Sequence, residues 1–117
     1  AQRVIELNPD MTALAATTSD ITGVTVFGLY PEDEPAAVEV RSFAPALGVP
    51  EDPVCGSGNG SVAALIRQHG ILDVSAYKAS QGRRVGRDGL VEVEFSPDGQ
   101  IWLGGRAVTC IEGILTV

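Results

Sequence analysis

One segment dictates most of what this chain can become. From Ser57 to His69 the sequence offers a helix, closed by Gly70 just past its last turn. The middle of that helix, Val62, Ala63, Ala64, Leu65 and Ile66, has no polar side. A helix apolar all round has to be buried over most of its surface. The remainder of the chain offers mainly strands to bury it with. Strand patterns are predicted at residues 2–7 (QRVIEL), 21–30 (ITGVTVFGLY), 36–44 (AAVEVRSFA), 74–82 (VSAYKASQG) and 90–95 (LVEVEF), and in IWLGG, RAVTCIEG and ILTV at the end. In the third, Val38, Val40 and Ser42 face one way and Glu39, Arg41 and Phe43 the other. In LVEVEF, Val91, Val93 and Phe95 oppose Glu92 and Glu94. NPDMTALAAT reads as a short helix capped by Asn8 or Asp10, with Pro9 near its first turn. PEDEP is an acidic loop, PALGVP (45–50) a Pro/Gly loop, and GRDG and SPDGQ are turns. About seven strands and one main helix, joined mostly by turns, favour an antiparallel arrangement. The expected fold is therefore α+β: a mostly antiparallel β-sheet rolled around one central helix, in a single domain over residues 1–117. No alternating βαβ units are visible, which argues against a doubly wound sheet.

Composition narrows the function. The net charge is −7 and Lys78 is the only lysine, so no nucleic-acid partner is expected, because nucleic acid is held mainly by clustered cations. The one basic cluster, Arg83, Arg84 and Arg87, reads as a solvated hairpin end, the alternative being a contact to an anionic ligand or a neighbouring domain. No apolar run approaches the roughly 18 residues of a membrane helix, so no membrane partner is expected, and no leader is visible. Two cysteines do not make a disulfide scaffold at this length, which points to reduced thiols and a cytoplasmic setting. One histidine and two distant cysteines give no zinc-type spacing, and no metal or other cofactor is expected. A first residue Ala1 leading directly into a strand pattern reads as a processed chain or a fragment.

The chemistry concentrates in EDPVCGSGNGSVAALI, residues 51–66. Amides at a helix start lack intrahelical partners and carry the positive end of the dipole. The backbone of Gly56, Ser57, Gly58 and Asn59 is thus an anion pocket in principle, suited to a substrate carboxylate, and Ser57 could cap the helix or bind the ligand. A dinucleotide loop would need G-x-G-x-x-G inside βαβ, and a P-loop a Gly-Lys-Ser/Thr ending; neither is present. Asp52, held extended by Pro53, places a carboxylate near the helix mouth, for proton transfer or simply to bind loop amides. Cys55, one residue before the amides, serves either as a proton-transfer base or nucleophile or as a small space-filling residue. Cys110 reads as packing in a short strand, and His69 as a charge partner for the helix C-terminus.

VRSFAPALGVPEDPVCGSGNGSVAALI, SQGRRVGRDGLVEV and WLGGRAVTCIEG together resemble the C-terminal half of the PhzF (phenazine-biosynthesis-like) family, over residues 2 to 117. The resemblance implies a diaminopimelate epimerase-like fold, in which two halves, each a sheet rolled around a helix, face each other across an active-site cleft. It implies a cofactor-independent isomerase or epimerase that moves a proton between carbons of a small carboxylate. By that likeness Asp52 matches the acid that assists proton shuttling, Ser57 and the amides after Cys55 match the groups that hold substrate, and Gly104 and Gly105 match a Gly-Gly segment near the site. Many members carry threonine at the position of Cys55, and Cys-Gly-Ser-Gly is instead similar to the thiol corner of diaminopimelate epimerases and proline racemases. The family's principal glutamate base lies in the N-terminal half, which this chain does not contain, and Glu51 is not its match.

Two functions remain in view: half of a proton-transfer active site, completed by a complementary N-terminal half, or a non-catalytic binding or interaction domain on the same scaffold. A single half should also expose the apolar face that meets its complement, so a self-pairing homodimer of twofold symmetry is expected.

Overall fold

Strand β2 (Val38–Ala44) is buried on both of its faces from Val38 to Phe43, and the rest of the fold is laid around it. The computed structural model describes residues 1–116. Helices α1 (Gln2–Glu6) and α2 (Met11–Thr17) precede β1 (Val24–Leu29) and β2. Then come β3 (Val49–Asp52), α3 (Gly56–His69), β4 (Ala76–Gln81), β5 (Gly89–Phe95) and β6 (Ile101–Gly104), with 3-10 turns at Pro45–Leu47 and Arg83–Val85. One edge of β2 takes β1 in antiparallel register, Val24 opposite Phe43 through Leu29 opposite Val38. The other edge is divided. β4 runs parallel beside Val38–Val40, and β3 runs antiparallel beside Ser42 and Ala44. Val40 is paired with Gln81 and Ser42 with Asp52, so the end of β4 and the end of β3 meet two residues apart along one strand. β5 and β6 extend the sheet antiparallel beyond β4.

Period-two alternation sends Val38, Val40, Tyr77, Ala79, Val91 and Val93 to one face, where Val62, Ala63 and Ile66 of α3 close the core. The fold is the expected α+β class with a mostly antiparallel sheet. Gly70 ends α3 in the left-handed conformation at φ 59°, its amide bonding Arg67 O and the next amide, of Ile71, bonding Ile66 O. α3 is covered less completely than its composition predicts. Val62, Ala63 and Ile66 are buried while Ala64 and Leu65 are exposed, so the sheet covers one side of the helix.

The opposite face of β2 is polar and still buried. Tyr30 donates its hydroxyl to Glu39 Oε2 at 2.7 Å, with the Arg83 guanidinium 5.9 Å from the Tyr30 ring centre. Arg83 is nevertheless exposed, as are Arg84 and Arg87, at the turn between β4 and β5, in keeping with the solvated hairpin end expected of the basic cluster. Arg41 Nη1 donates to the carbonyls of Val4 (3.1 Å), Ile5 (3.4 Å) and Leu7 (2.7 Å), closing the C-terminal end of α1.

Several expectations are corrected. Residues 2–6 are helical, not a strand. Their β-branched residues favour strand, but the Arg41 contacts and a bond from the Ala1 ammonium to Leu29 O fix a helical turn. The 45–50 loop contains a 3-10 turn and the start of β3, a strand the Pro-rich pattern concealed. One parallel β–α–β crossover is present, from β2 through α3 to β4, where none was expected. RAVTCIEG and the described part of ILTV form no strands. Residues 105–116 are exposed and pair with nothing among the described residues, so β-branched composition found no ladder to join. Cys110, expected to be packed, is exposed there. Among the described residues this leaves six strands where about seven were expected, and three α-helices where one main and one short helix were, the short one being α2 with Asp10 as its cap.

Candidate active site

The helix mouth is built by a side chain from the sheet. Gln81, fully buried at the end of β4, lies on the α3 face because it pairs with Val40. Its Nε2 donates to Asp52 O at 2.9 Å. Its Oε1 accepts from Cys55 N at 3.2 Å and from Asn59 Nδ2 at 2.8 Å. Asn59 Nδ2 also donates to Cys55 O at 2.9 Å. One neutral amide thus ties β3, the Pro53–Val54 bend and the first turn of α3 together. The backbone approaches closely here. Gly82, at φ 98°, leaves no room for a Cβ, which would lie 2.7 Å from Pro53 O, and a Cβ on Gly89 would collide with Val54.

Cys55 is the N-cap of α3, in extended conformation, and its Sγ accepts the Gly58 amide at 3.3 Å. The cap is therefore Cys55, while Ser57 stands exposed with its Oγ 3.5 Å from the thiol sulfur. Asn59 N bonds Cys55 O at 3.0 Å. Of the four amides read as an anion pocket, those of Gly58 and Asn59 are thus consumed internally, whereas no protein group among the described residues takes those of Gly56 and Ser57. Gly58 serves packing. A Cβ there would lie 2.6 Å from both Thr25 Oγ1 and Ser42 Oγ and 3.1 Å from Cys55 Sγ, whereas a Cβ on Gly56 would meet open space.

Asp52 and Cys55 both line a cleft of about 200 Å³ between β1, β2 and the 47–55 segment. Thr25 and Ser42 contribute to its polar lining and bond each other at 2.9 Å. Asp52 Oδ1 accepts from Val54 N at 3.0 Å, a local turn contact. The structure therefore brings Asp52 and Cys55 to one cleft, while Gly56 and Ser57 follow Cys55 in the first turn of α3 and are not part of its lining. Gly104 and Gly105 stand apart from this cleft. Gly104 ends β6 opposite Glu92, two strands beyond β4, and lines a different cleft of about 510 Å³ with Lys78, Glu92 and Trp102.

Thr25, Ser42 and Gln81 were missed by the sequence reading as site residues. Ser42 carried a usable signal, since it continues the inward face of Val38 and Val40 with a hydroxyl. Gln81, before Gly82, gives no such sign until the pairing of β4 with β2 is known.

A family model described as phenazine biosynthesis-like protein matches residues 1–113. The chain belongs to this phenazine biosynthesis-like family. Among its relatives, an uncharacterized isomerase of Clostridium acetobutylicum is 32% identical over 96% of this chain and 40% of the relative. Antisense-enhancing sequence 1 of Schizosaccharomyces pombe is 37% identical over 97% of this chain and 40% of its own length. A solved PhzC/PhzF protein from Clostridium difficile superposes with a TM-score of 0.72 at 25% identity, covering 99% of this chain and 41% of that one. The chain thus spans about two fifths of the length of these relatives. The likeness to this solved structure extends to the α+β architecture. No helix among the described residues is long and apolar enough to cross a membrane.

Proposed function

We propose that this domain carries half of a cofactor-independent isomerase or epimerase active site that moves a proton on a small carboxylate substrate. The carrying observation is that Asp52 and Cys55 line one cleft and that the amides of Gly56 and Ser57, which no group among the described residues takes, directly follow Cys55. The two amides, at the positive end of α3, hold the substrate carboxylate and stabilise the enolate-like charge that develops on it. Asp52, alone or with Cys55, gives or takes the proton at the adjacent carbon, and the opposing base comes from elsewhere. The names of several relatives as isomerases support this reading. So does the Cys-Gly-Ser-Gly corner, with the thiol at the helix start. Gly58 and Asn59 hold substrate only indirectly, by fixing the corner, and Gly104 and Gly105 act only if the complement brings them nearer.

The complement is an N-terminal half or a second copy in twofold self-pairing. Exposed Leu47 and Val49 beside the cleft, and Leu65 on α3, support such a contact. Both cysteines are free, which suits a reducing compartment such as the cytoplasm. Sedimentation is expected to show association at high concentration, and a clean monomer would overturn self-pairing.

The chemistry is tested by joining the domain to its complement and following solvent deuterium into a panel of small amino and hydroxy acids. Uptake next to the carboxylate is expected, slowed about 10²-fold or more in Asp52→Asn. Uptake no greater than in that variant would overturn the reading. One observation favours a second reading, a non-catalytic binding domain: Asp52 Oδ1 and Cys55 Sγ both already make local backbone contacts. Carboxylate binding that survives loss of both side chains, without deuterium uptake by the wild type, would select it.

A further inference from the structure

We propose that Gln81 is the positioning residue of this site, holding Asp52 and Cys55 in fixed relation to the free amides of Gly56 and Ser57. The inference rests on the isomerase reading and adds a residue that touches no substrate. The division of the β2 edge puts the end of β4 against the end of β3, so a side chain at position 81 reaches the bend that carries both proton-transfer candidates. The corner asks for a donor toward Asp52 O and an acceptor toward Cys55 N at the same point. A side-chain amide supplies both at once. A carboxylate supplies only the acceptor and an ammonium only the donor. The same Oε1 takes Asn59 Nδ2, which returns to Cys55 O, so Cys55 is held through both its N–H and its carbonyl. Gln81 and Asn59 are both fully buried, so water does not compete for these bonds. The consequence for chemistry is geometric. The Cys55 sulfur receives the Gly58 amide only while the Cys55 backbone stays where Gln81 places it, and a displacement of about 1 Å at a reacting group costs on the order of 10²-fold in rate.

The test uses Gln81→Met, close in size but unable to make the three bonds, and Gln81→Glu, which keeps both acceptor contacts and loses the donor to Asp52 O. Native-state hydrogen exchange is read at the Gly58 amide, which Gln81 does not touch, with the Val93 amide as a core reference. Deuterium uptake by the rejoined protein is read as kcat and KM separately. In Gln81→Met the Gly58 amide is expected to exchange about tenfold faster, the equivalent of one net hydrogen bond, with Val93 unchanged. Its kcat is expected to fall about 10²-fold with little change in KM. In Gln81→Glu the Gly58 amide should keep wild-type protection while kcat falls, because only the hold on Asp52 is lost. Gln81→Met with wild-type Gly58 protection, or with wild-type kcat, would overturn the proposal and leave Gln81 as a structural residue. If Gln81→Met does not fold, unchanged kcat in Gln81→Glu overturns it equally. Absence of uptake by the wild type would refute the isomerase reading instead, and the Gly58 amide would then decide whether Gln81 positions the corner.

Discussion

Arg41 grips Glu51 in two parallel bonds, Nε to Oε1 at 2.9 Å and Nη2 to Oε2 at 2.8 Å, with both side chains almost wholly shielded from water. Glu51 is thus engaged in a structural pair, although it neighbours Asp52 in sequence. The same guanidinium caps the carbonyls that end α1 and lies 4.9 Å from the Phe43 ring centre. One side chain joins the N-terminal helix to β3, and so supports the bend carrying Asp52. Removing one partner of a buried pair strands the other charge. Arg41→Met is expected to cost about 3–5 kcal/mol and Glu51→Gln less, since a neutral amide can keep one bond. Urea denaturation checks this. Equal midpoints for wild type and Arg41→Met would show that the pair contributes nothing.

The glycines at the start of α3 are expected to part company on substitution. Alanine at position 58 gains helix propensity, about 1 kcal/mol at most. Its Cβ, however, would lie 2.6 Å from Thr25 Oγ1 and Ser42 Oγ, which bond each other and cannot both retreat without breaking that contact. Overpacking costs about 1–3 kcal/mol, so the steric term wins. Gly58→Ala should be destabilised, while Gly56→Ala, whose Cβ faces open space, should lie within about 0.5 kcal/mol of wild type. Thermal unfolding of the two proteins side by side settles it, and equal midpoints would refute the packing role of Gly58.

How far such a site can be read from sequence is visible in these residues. α3 was legible, both because its core side chains are apolar and because Gly70 can only end it one way. β2 and β5 were legible from alternation alone. Asp52 and Cys55 were legible because a Gly-rich helix start is a local feature. The network that fixes them was not. Gln81 lies 29 residues from Asp52 along the chain, and only the divided edge of β2 brings them together. α1 was misread because its helical form comes from Arg41, 34 residues after Leu7, and not from its own sequence. Segment 105–116 was misread in the opposite sense: propensity for strand was present and a partner strand was not.

Helix α2 offers a local test. Asp10 Oδ1 accepts from the amides of both Thr12 and Ala13 at 3.0 Å, so this carboxylate serves two of the helix's unsatisfied donors. Asp10→Ala is expected to lower stability by about 1 kcal/mol, and Asp10→Ser to recover most of it, since a hydroxyl can cap in the same way. Chemical denaturation of the three proteins measures the difference. Identical stabilities would mean that α2 frays from the domain at no cost.

The two tyrosines carry the alkaline behaviour of the fold. Burial, followed by the hydrogen bond to Glu39 and the closeness of that carboxylate, pushes Tyr30 up from 10.0 to about 12, with Arg83 pulling the other way. Burial alone pushes Tyr77 up to about 12. Each folded phenol therefore holds its proton more tightly than in the unfolded chain. Their contribution to stability is whole below pH about 10 and is lost as pH rises from there through about 12. Phenolate absorbance should be nearly absent from the folded protein at pH 10 and should appear with unfolding above it. The hydroxyls themselves differ. Tyr30→Phe leaves the buried Glu39 oxygen without its donor and is expected to cost about 1–3 kcal/mol. The buried Tyr77 hydroxyl has no partner among the described residues, so Tyr77→Phe should be neutral or slightly stabilising. Equal losses in the two phenylalanine variants would show that the hydroxyl of Tyr30 does not support Glu39.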